Sequence, residues 1–304
     1  VELETPVKLL KTEDGNELVI EMVLHTKRYS LTLDKNKCTG CGVCMEICPR
    51  EAIAVTRTPK TTGENAQPPT VTIKEEKCTY CGMCEALCPF GALTLKVNGE
   101  HFIPVVDSES FPQLIRQIIV DETKCGLECM EIEEACPLNL ITVSVNAPDR
   151  KNAKSKVTMK IDKESCPCCQ LCETKFPDGT IRVEKIFHGN LRINEEKCPE
   201  GCHDCLDVCP ISGVLYLSDN GKVHVNDLHC VYCGVCRITC PEEGALELSR
   251  TRIRHTPVRS GAWNKALEKL ASTKAMIKEL KTKSAWRLKE SIKNRFPEEV
   301  EEDV

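Results

Sequence analysis

The sequence predicts an α+β chain of three tandem cysteine-rich units, each built from two halves and followed by a C-terminal helix, and three observations carry that prediction. Of its 304 residues 23 are cysteines, and they bunch into six groups. The leading cysteines of these groups, Cys38, Cys78, Cys125, Cys166, Cys198 and Cys230, recur at intervals of 32 to 47 residues, which is the mark of a repeat. Aromatic residues make up only 4% of the chain, so something other than a large apolar core must organise it.

Spacing divides the chain into an N-terminal hairpin extension (1–34), a first unit (35–106), a connector (107–122), a second unit (123–187), a third unit (188–250) and a tail (251–304). Most groups are entered by a short alternating segment, such as YSLTLDKNKC, VTIKEEKC or LRINEEKC, which reads as a brief strand running into a metal loop. Apolar stretches follow, at 52–55, 92–97, 140–145, 214–217 and 245–248, and with turns such as Asn98-Gly99 and Asn220-Gly221 they predict hairpins. The polar segments PKTTGENAQPPT and NAPDRKNAKSK read as exposed hairpin tips.

Three runs, CTGCGVCMEICP, CTYCGMCEALCP and CVYCGVCRITCP, fit C-x2-C-x2-C-x3-C-P without deviation. This spacing resembles the bacterial ferredoxin signature, in which three thiolates converge on one cubane and the fourth, a helical turn on, serves the other cubane of the pair. The implied fold is therefore a series of tandem bacterial-type 2[4Fe–4S] ferredoxin domains. Gly42, Gly82 and Gly234 relieve crowding where the backbone wraps the sulfides, and the closing proline redirects the chain. Zinc also uses CxxC pairs, but one zinc ion needs four ligands in all and has no use for paired runs of four.

On that pattern the first cluster takes Cys38, Cys41, Cys44 and Cys88, and the second takes Cys78, Cys81, Cys84 and Cys48. The run CPEGCHDCLDVCP has one extra residue in its first gap, so the fourth cluster takes Cys198, Cys202, Cys205 and Cys240, and the fifth Cys230, Cys233, Cys236 and Cys209. His203 inside the widened loop reads as facing solvent rather than the cluster.

Both runs of the middle unit are defective. CGLECMEIEEACP puts Ile132 where a third ligand belongs, and CPCCQLCETKFP puts Phe176 before Pro177 in place of the last cysteine. Paired as ferredoxin halves, they leave one complete set, Cys166, Cys169, Cys172 and Cys136, while both losses fall on the other. The expectation is five [4Fe–4S] clusters, with Cys125, Cys129 and Cys168 left over. The alternative is six, with Cys168 rescuing the degenerate site.

A cubane held by four thiolates has no open iron position, so it exchanges electrons and offers substrate no Lewis-acid site. No Rossmann fingerprint, P-loop or nucleophile elbow accompanies the cysteines. The chain therefore reads as an electron carrier and not an enzyme, with an intrinsically catalytic iron–sulfur oxidoreductase as the alternative class. The net charge of −5 does not suit nucleic acid, and no run approaches the length of a membrane span. An odd cysteine count and no leader-like start argue against a disulfide scaffold, so a reducing, cytoplasmic compartment is expected.

From about Trp263 to Phe296, apolar residues recur at helical spacing among many lysines. This segment is expected to dock on a partner subunit, because small ferredoxin domains offer little groove for it; packing on the chain's own units, or lying on a membrane surface, are the alternatives.

From Cys38 to Pro241 the chain resembles the polyferredoxins of methanogenic archaea. The hairpin LVIEMVLH and the tail RHTPVRSGAWNKALEKL are most similar to the iron–sulfur polyferredoxin component of formylmethanofuran dehydrogenases. That resemblance implies partners: the tungsten or molybdenum catalytic subunits that fix CO2 onto methanofuran, and a heterodisulfide reductase complex as electron source. The usual member of that family has more ferredoxin units. A polyferredoxin subunit of a hydrogenase complex is the second resemblance.

Overall fold

The computed structural model describes residues 8–60, 64–124, 127–146, 156–176 and 179–271, with 281, 284, 285 and 288 beyond them. The first unit opens with β1 (Lys8–Glu13), β2 (Glu17–Val23) and β3 (Arg28–Asp34), then α1 (Val43–Ile47), β4 (Ile53–Thr56), β5 (Thr70–Ile73), α2 (Met83–Ala86), β6 (Leu93–Val97) and β7 (Glu100–His101). Two sheets result. The larger has the order β1-β2-β3-β6-β7 and the smaller is the hairpin β4-β5, every neighbour antiparallel. Leu31 and Leu33 on β3 face inward opposite Leu95 and Leu93 on β6, and the alternation of these residues fixes the register. β3, read as part of an N-terminal extension, is thus the central strand of the first unit's larger sheet, with β2 on one side and β6 on the other.

A one-turn helix α3 (Pro104–Asp107) follows, and then β8 (Gln117–Val120), which pairs with β11 (Ile181–Glu184). The segment expected to be a connector therefore supplies a strand to the second unit, because Ile118 and Val183 need a common interior. Between these strands lie 3-10 turns at Glu122–Lys124 and Leu127–Ala135, the hairpin β9 (Ile141–Asn146) with β10 (Lys156–Ile161), and α4 (Leu171–Lys175). The tip of that hairpin lies outside the described residues.

The third unit repeats the plan with β12 (Phe187–Ile193), α5 (Asp204–Asp207), β13 (Leu215–Leu217), β14 (Val223–Val225), α6 (Val235–Thr239) and β15 (Leu246–Ile253), pairing β12 with β15 and β13 with β14. The described residues on either side of 61–63, in and beside the stretch read as an exposed hairpin tip (59–70), are not free. Arg57 and Lys60 hold Asp204 at 3.0 and 2.7 Å, and the Ala66 N–H donates to Asp207, so this loop of the first unit is fastened to α5 of the third.

The tail corrects a second expectation. Helix α7 (Gly261–Leu270) is capped by the Ser260 hydroxyl, which accepts from the Trp263 N–H, and it packs on the chain's own units beside α1. Trp263 is fully buried against Phe111 and His255, and Ala266, Leu267 and Leu270 are buried with it. Each unit alone offers little groove, but the seam between the first and third supplies one. Most of the helix expected beyond Leu270 lies outside the described residues. Trp263→Ala is expected to lower stability by about 3–5 kcal/mol, read from an anaerobic denaturant titration, without changing the iron content.

Candidate metal centres

The cysteine loops have a common local construction. Just before the second cysteine of five of them the backbone is left-handed, with φ of 71° at Gly40, 51° at Tyr80, 60° at Cys168, 72° at Gly201 and 48° at Tyr232, so that successive N–H groups turn toward the sulfur side of the loop. The Tyr80 N–H donates to the Cys78 sulfur at 3.4 Å. The proline after the last cysteine reverses the chain, and the N–H four residues past that cysteine returns to its sulfur. Ala52 donates to Cys48 at 3.3 Å, Ala92 to Cys88 at 3.3 Å and Leu140 to Cys136 at 3.4 Å. Such N–H···S bonds place donors where a cluster-bound sulfur carries negative charge. Cys136 shares the arrangement although its run is defective.

Three of the sets predicted from spacing each line one cavity. Cys48, Cys78, Cys81 and Cys84 line one cavity, walled by Leu31, Ile53 and Leu95. Cys136, Cys166, Cys169 and Cys172 line a second with Ile118, Ile141 and Val183, and Cys209, Cys230, Cys233 and Cys236 a third with Leu191, Val214 and Leu248. For the other two sets the electrostatic neighbours tell the same story. Burial pushes the Cys44 thiol well up, followed by the influence of Cys41, then Cys84 of the neighbouring set, then Cys88 and Cys38. Burial likewise pushes Cys205 to about 12, with Cys202, Cys198 and Cys240 acting on it next. Four thiols converging on an apolar-walled cavity are the donor set that a cubane requires.

In the second unit the two residues that stand where the spacing calls for cysteines are packed into the core. Ile132 has no exposed surface and Cys129 is 3% exposed, while Phe176 closes α4 and packs against the same core. Cys129 is disulfide-bonded, and every other described cysteine is free. Cys125 lies outside the described residues. Cys168 is buried beside Cys166, and a hydrogen bond from it lowers the Cys166 thiol to about 7. His203 is 42% exposed, with Nδ1 3.1 Å from Asp207, so it faces a carboxylate and solvent.

The units meet at their cysteine loops. A Cβ at Gly42 would stand 2.6 Å from the Ile238 side chain, and one at Gly234 3.5 Å from the Cys41 carbonyl oxygen, so the absence of side chains lets the two loops close up. Arg116 donates to the carbonyls of Cys88 at 2.6 Å and Cys166 at 3.2 Å, joining the first unit to the second. His229, buried, has Nδ1 3.2 Å from the Cys169 carbonyl, joining the second to the third. Three cysteine sets, one per unit, are thereby mutual neighbours.

Comparison with known proteins agrees with this geometry. Family models described as 4Fe-4S dicluster domains match residues 37–92 and 190–241. A chain in the solved formate dehydrogenase–heterodisulfide reductase–formylmethanofuran dehydrogenase complex of Methanospirillum hungatei is 31% identical, with a TM-score of 0.75 over 87% of this chain and 92% of that one. The chain belongs to the polyferredoxin-like iron–sulfur proteins. Curated relatives include the polyferredoxin-like subunit of an aliphatic sulfonate oxidoreductase from Pyrococcus furiosus, 28% identical over 30% of this chain and 58% of its own length. Formate hydrogenlyase subunit 2 of Escherichia coli is 31% identical over 30% of this chain and 47% of its own length. This polyferredoxin-like chain thus spans about half the length of those curated relatives, and it carries [4Fe–4S] centres.

Sequence reading missed the residues that bind the loops of this polyferredoxin-like chain to one another: Arg116, His229, Glu46 and Arg250. One of them left a trace. In ALELSRTRI the inward strand positions fall on Leu246, then Arg250 and Ile253, and a charge at an inward position of a strand calls for a buried partner. Among the described residues no helix is long and apolar enough to cross a membrane.

Proposed function

We propose that the chain relays low-potential electrons, one at a time, through five [4Fe–4S] clusters between redox subunits of a larger oxidoreductase complex. The observation that carries this reading is the convergence of five four-cysteine sets, with the Cys41 and Cys233 loops of different units pressed together across Gly234. Bound there, the clusters supply reversible one-electron chemistry and no substrate position. Cys38, Cys41, Cys44 and Cys88 hold the first, and Cys78, Cys81, Cys84 and Cys48 the second. Cys166, Cys169, Cys172 and Cys136 hold the third, Cys198, Cys202, Cys205 and Cys240 the fourth, and Cys230, Cys233, Cys236 and Cys209 the fifth. The apolar walls exclude water, and the N–H···S bonds stabilise the thiolates without supplying protons. The partners are the catalytic subunits of a formylmethanofuran dehydrogenase, with electrons drawn from a heterodisulfide reductase complex, a reading supported by the likeness to the M. hungatei assembly. The match to one component of formate hydrogenlyase favours a hydrogenase complex as the second reading. Anaerobic reconstitution is expected to give about 20 irons and about 20 sulfides per chain, and about 24 of each would sink the five-cluster assignment. Affinity purification from the native cell separates the partners, a pterin metal supporting the first and nickel the second.

A further inference from the structure

The loop from Cys230 to Cys233 receives two cationic side chains. Arg250, 3% exposed, donates to the Cys233 carbonyl at 2.7 Å, the Tyr232 carbonyl at 2.9 Å and the Leu270 carbonyl at 3.2 Å, and lies 5.4 Å above the Phe187 ring. Lys185 reaches in from the second unit, donating to the Cys230 carbonyl at 3.1 Å and the Asp227 carbonyl at 2.7 Å. These two residues hold matching places in their units. In the stretches GALTLKV, GTIRVEK and GALELSR, Val97, Lys185 and Arg250 each stand six residues past the glycine. The first unit has an apolar side chain there, whereas the second and third both direct a cation at one loop. Among the described residues no other cysteine loop accepts from both an arginine and a lysine. The nearest anion to Arg250 is Glu46, at 3.4 Å, which sits on α1 with the Cys38–Cys44 loop and is shared with Arg237.

We propose that Arg250 and Lys185 make the site of Cys209, Cys230, Cys233 and Cys236 the highest-potential centre of the chain, where an electron arriving from the Cys41 side comes to rest. The inference rests on the ligand sets proposed above. Reduction adds one negative charge to an already anionic centre, and positive charge fixed beside it in a poorly solvated interior favours that step. Glu46, held by Arg237 as well as by Arg250, offsets part of this charge, and the positive surplus stays on the Cys233 side of the seam. The transfer is balanced without a proton: one electron leaves the centre held by Cys41 and arrives at the one held by Cys233.

An anaerobic redox titration of the full chain, followed by electron paramagnetic resonance, tests this. Cys209→Ala identifies the signal, since it removes a ligand from that site alone, and it is expected to abolish or alter the first signal to appear on reduction. Arg250→Gln is expected to lower the midpoint of that signal by about 59 mV, a tenfold loss in its one-electron reduction equilibrium, and to leave the Cys78 site unmoved. Lys185→Gln, which removes a less buried side chain, is expected to shift the same midpoint in the same sense. A first signal that survives in Cys209→Ala while iron is lost overturns the inference and leaves the ligand sets standing. Full iron with every signal intact in Cys209→Ala overturns the ligand assignment itself. Should Arg250→Gln fail to assemble, an unchanged midpoint in Lys185→Gln overturns the inference.

Discussion

Removing iron is expected to cost the chain most of its stability, and what remains is expected to vanish as the pH rises from about 8.5 to about 12. Burial holds the thiols of Cys38 and Cys78 up to about 11, and those of Cys172 and Cys230 up to about 12. Iron-bound, these sulfurs are thiolates whose charge the metal offsets. Without iron they must stay protonated around emptied cavities. The sign follows from the direction of the shift. Below the unfolded thiol value both states are protonated and the folded chain keeps its stability; between that value and the folded one, the unfolded chain ionises first and pulls the equilibrium its way. Each unit of upward shift is worth about 1.4 kcal/mol, so a handful of such thiols rivals the roughly 5–15 kcal/mol that holds a domain folded. Anaerobic chelation followed by denaturant titrations at pH 7.5 and pH 10 is the measurement. The iron-free chain should lose its transition at the higher pH while the loaded chain keeps it, and equal midpoints for the iron-free chain at both would defeat the argument.

Cysteine spacing made the site legible because a cubane imposes it. Two-residue gaps and a fourth ligand borrowed from the partner half are local rules, and Cys136 could be joined to Cys166, Cys169 and Cys172 even though both runs of that unit are damaged. The strands entering and leaving each loop were legible for the same reason, since β3 and β6 alternate cleanly and β12 and β15 do so up to the bulge at His188–Gly189. How the units pack was not legible. The clasp of Arg57 and Lys60 on Asp204 spans about 140 residues, and no periodicity announces a partner so distant. The groove for α7 does not exist in any one unit, which is why reasoning about single ferredoxin domains sent Trp263 to a partner subunit instead of to Phe111. Segment 107–122 was misjudged for a related reason. Its apolar content is modest, and only pairing with Ile181–Glu184 makes Gln117–Val120 a strand.

Restoring two cysteines to the second unit is expected to add a sixth centre. Ile132 and Phe176 stand at the two positions where the ferredoxin pattern requires ligands, and both now serve the core, Ile132 with no exposed surface and Phe176 at the end of α4. If the site decayed from a cluster, its backbone still follows the ferredoxin path, and Ile132→Cys with Phe176→Cys, reduced to free Cys129, should raise the iron count from about 20 to about 24 per chain. Ile132→Ala separates packing from ligation. It leaves a cavity in a closed core and is expected to cost about 3 kcal/mol in unfolding free energy while the iron count stays where it was. Should Ile132→Ala instead lose about four irons, Ile132 would be supporting an existing sixth centre, and the surplus thiol of Cys168 would have to be one of its ligands. Should the double cysteine variant fold and gain none, the second unit was never a two-cluster ferredoxin, and its single set must have arisen with Cys136 as an independent recruit.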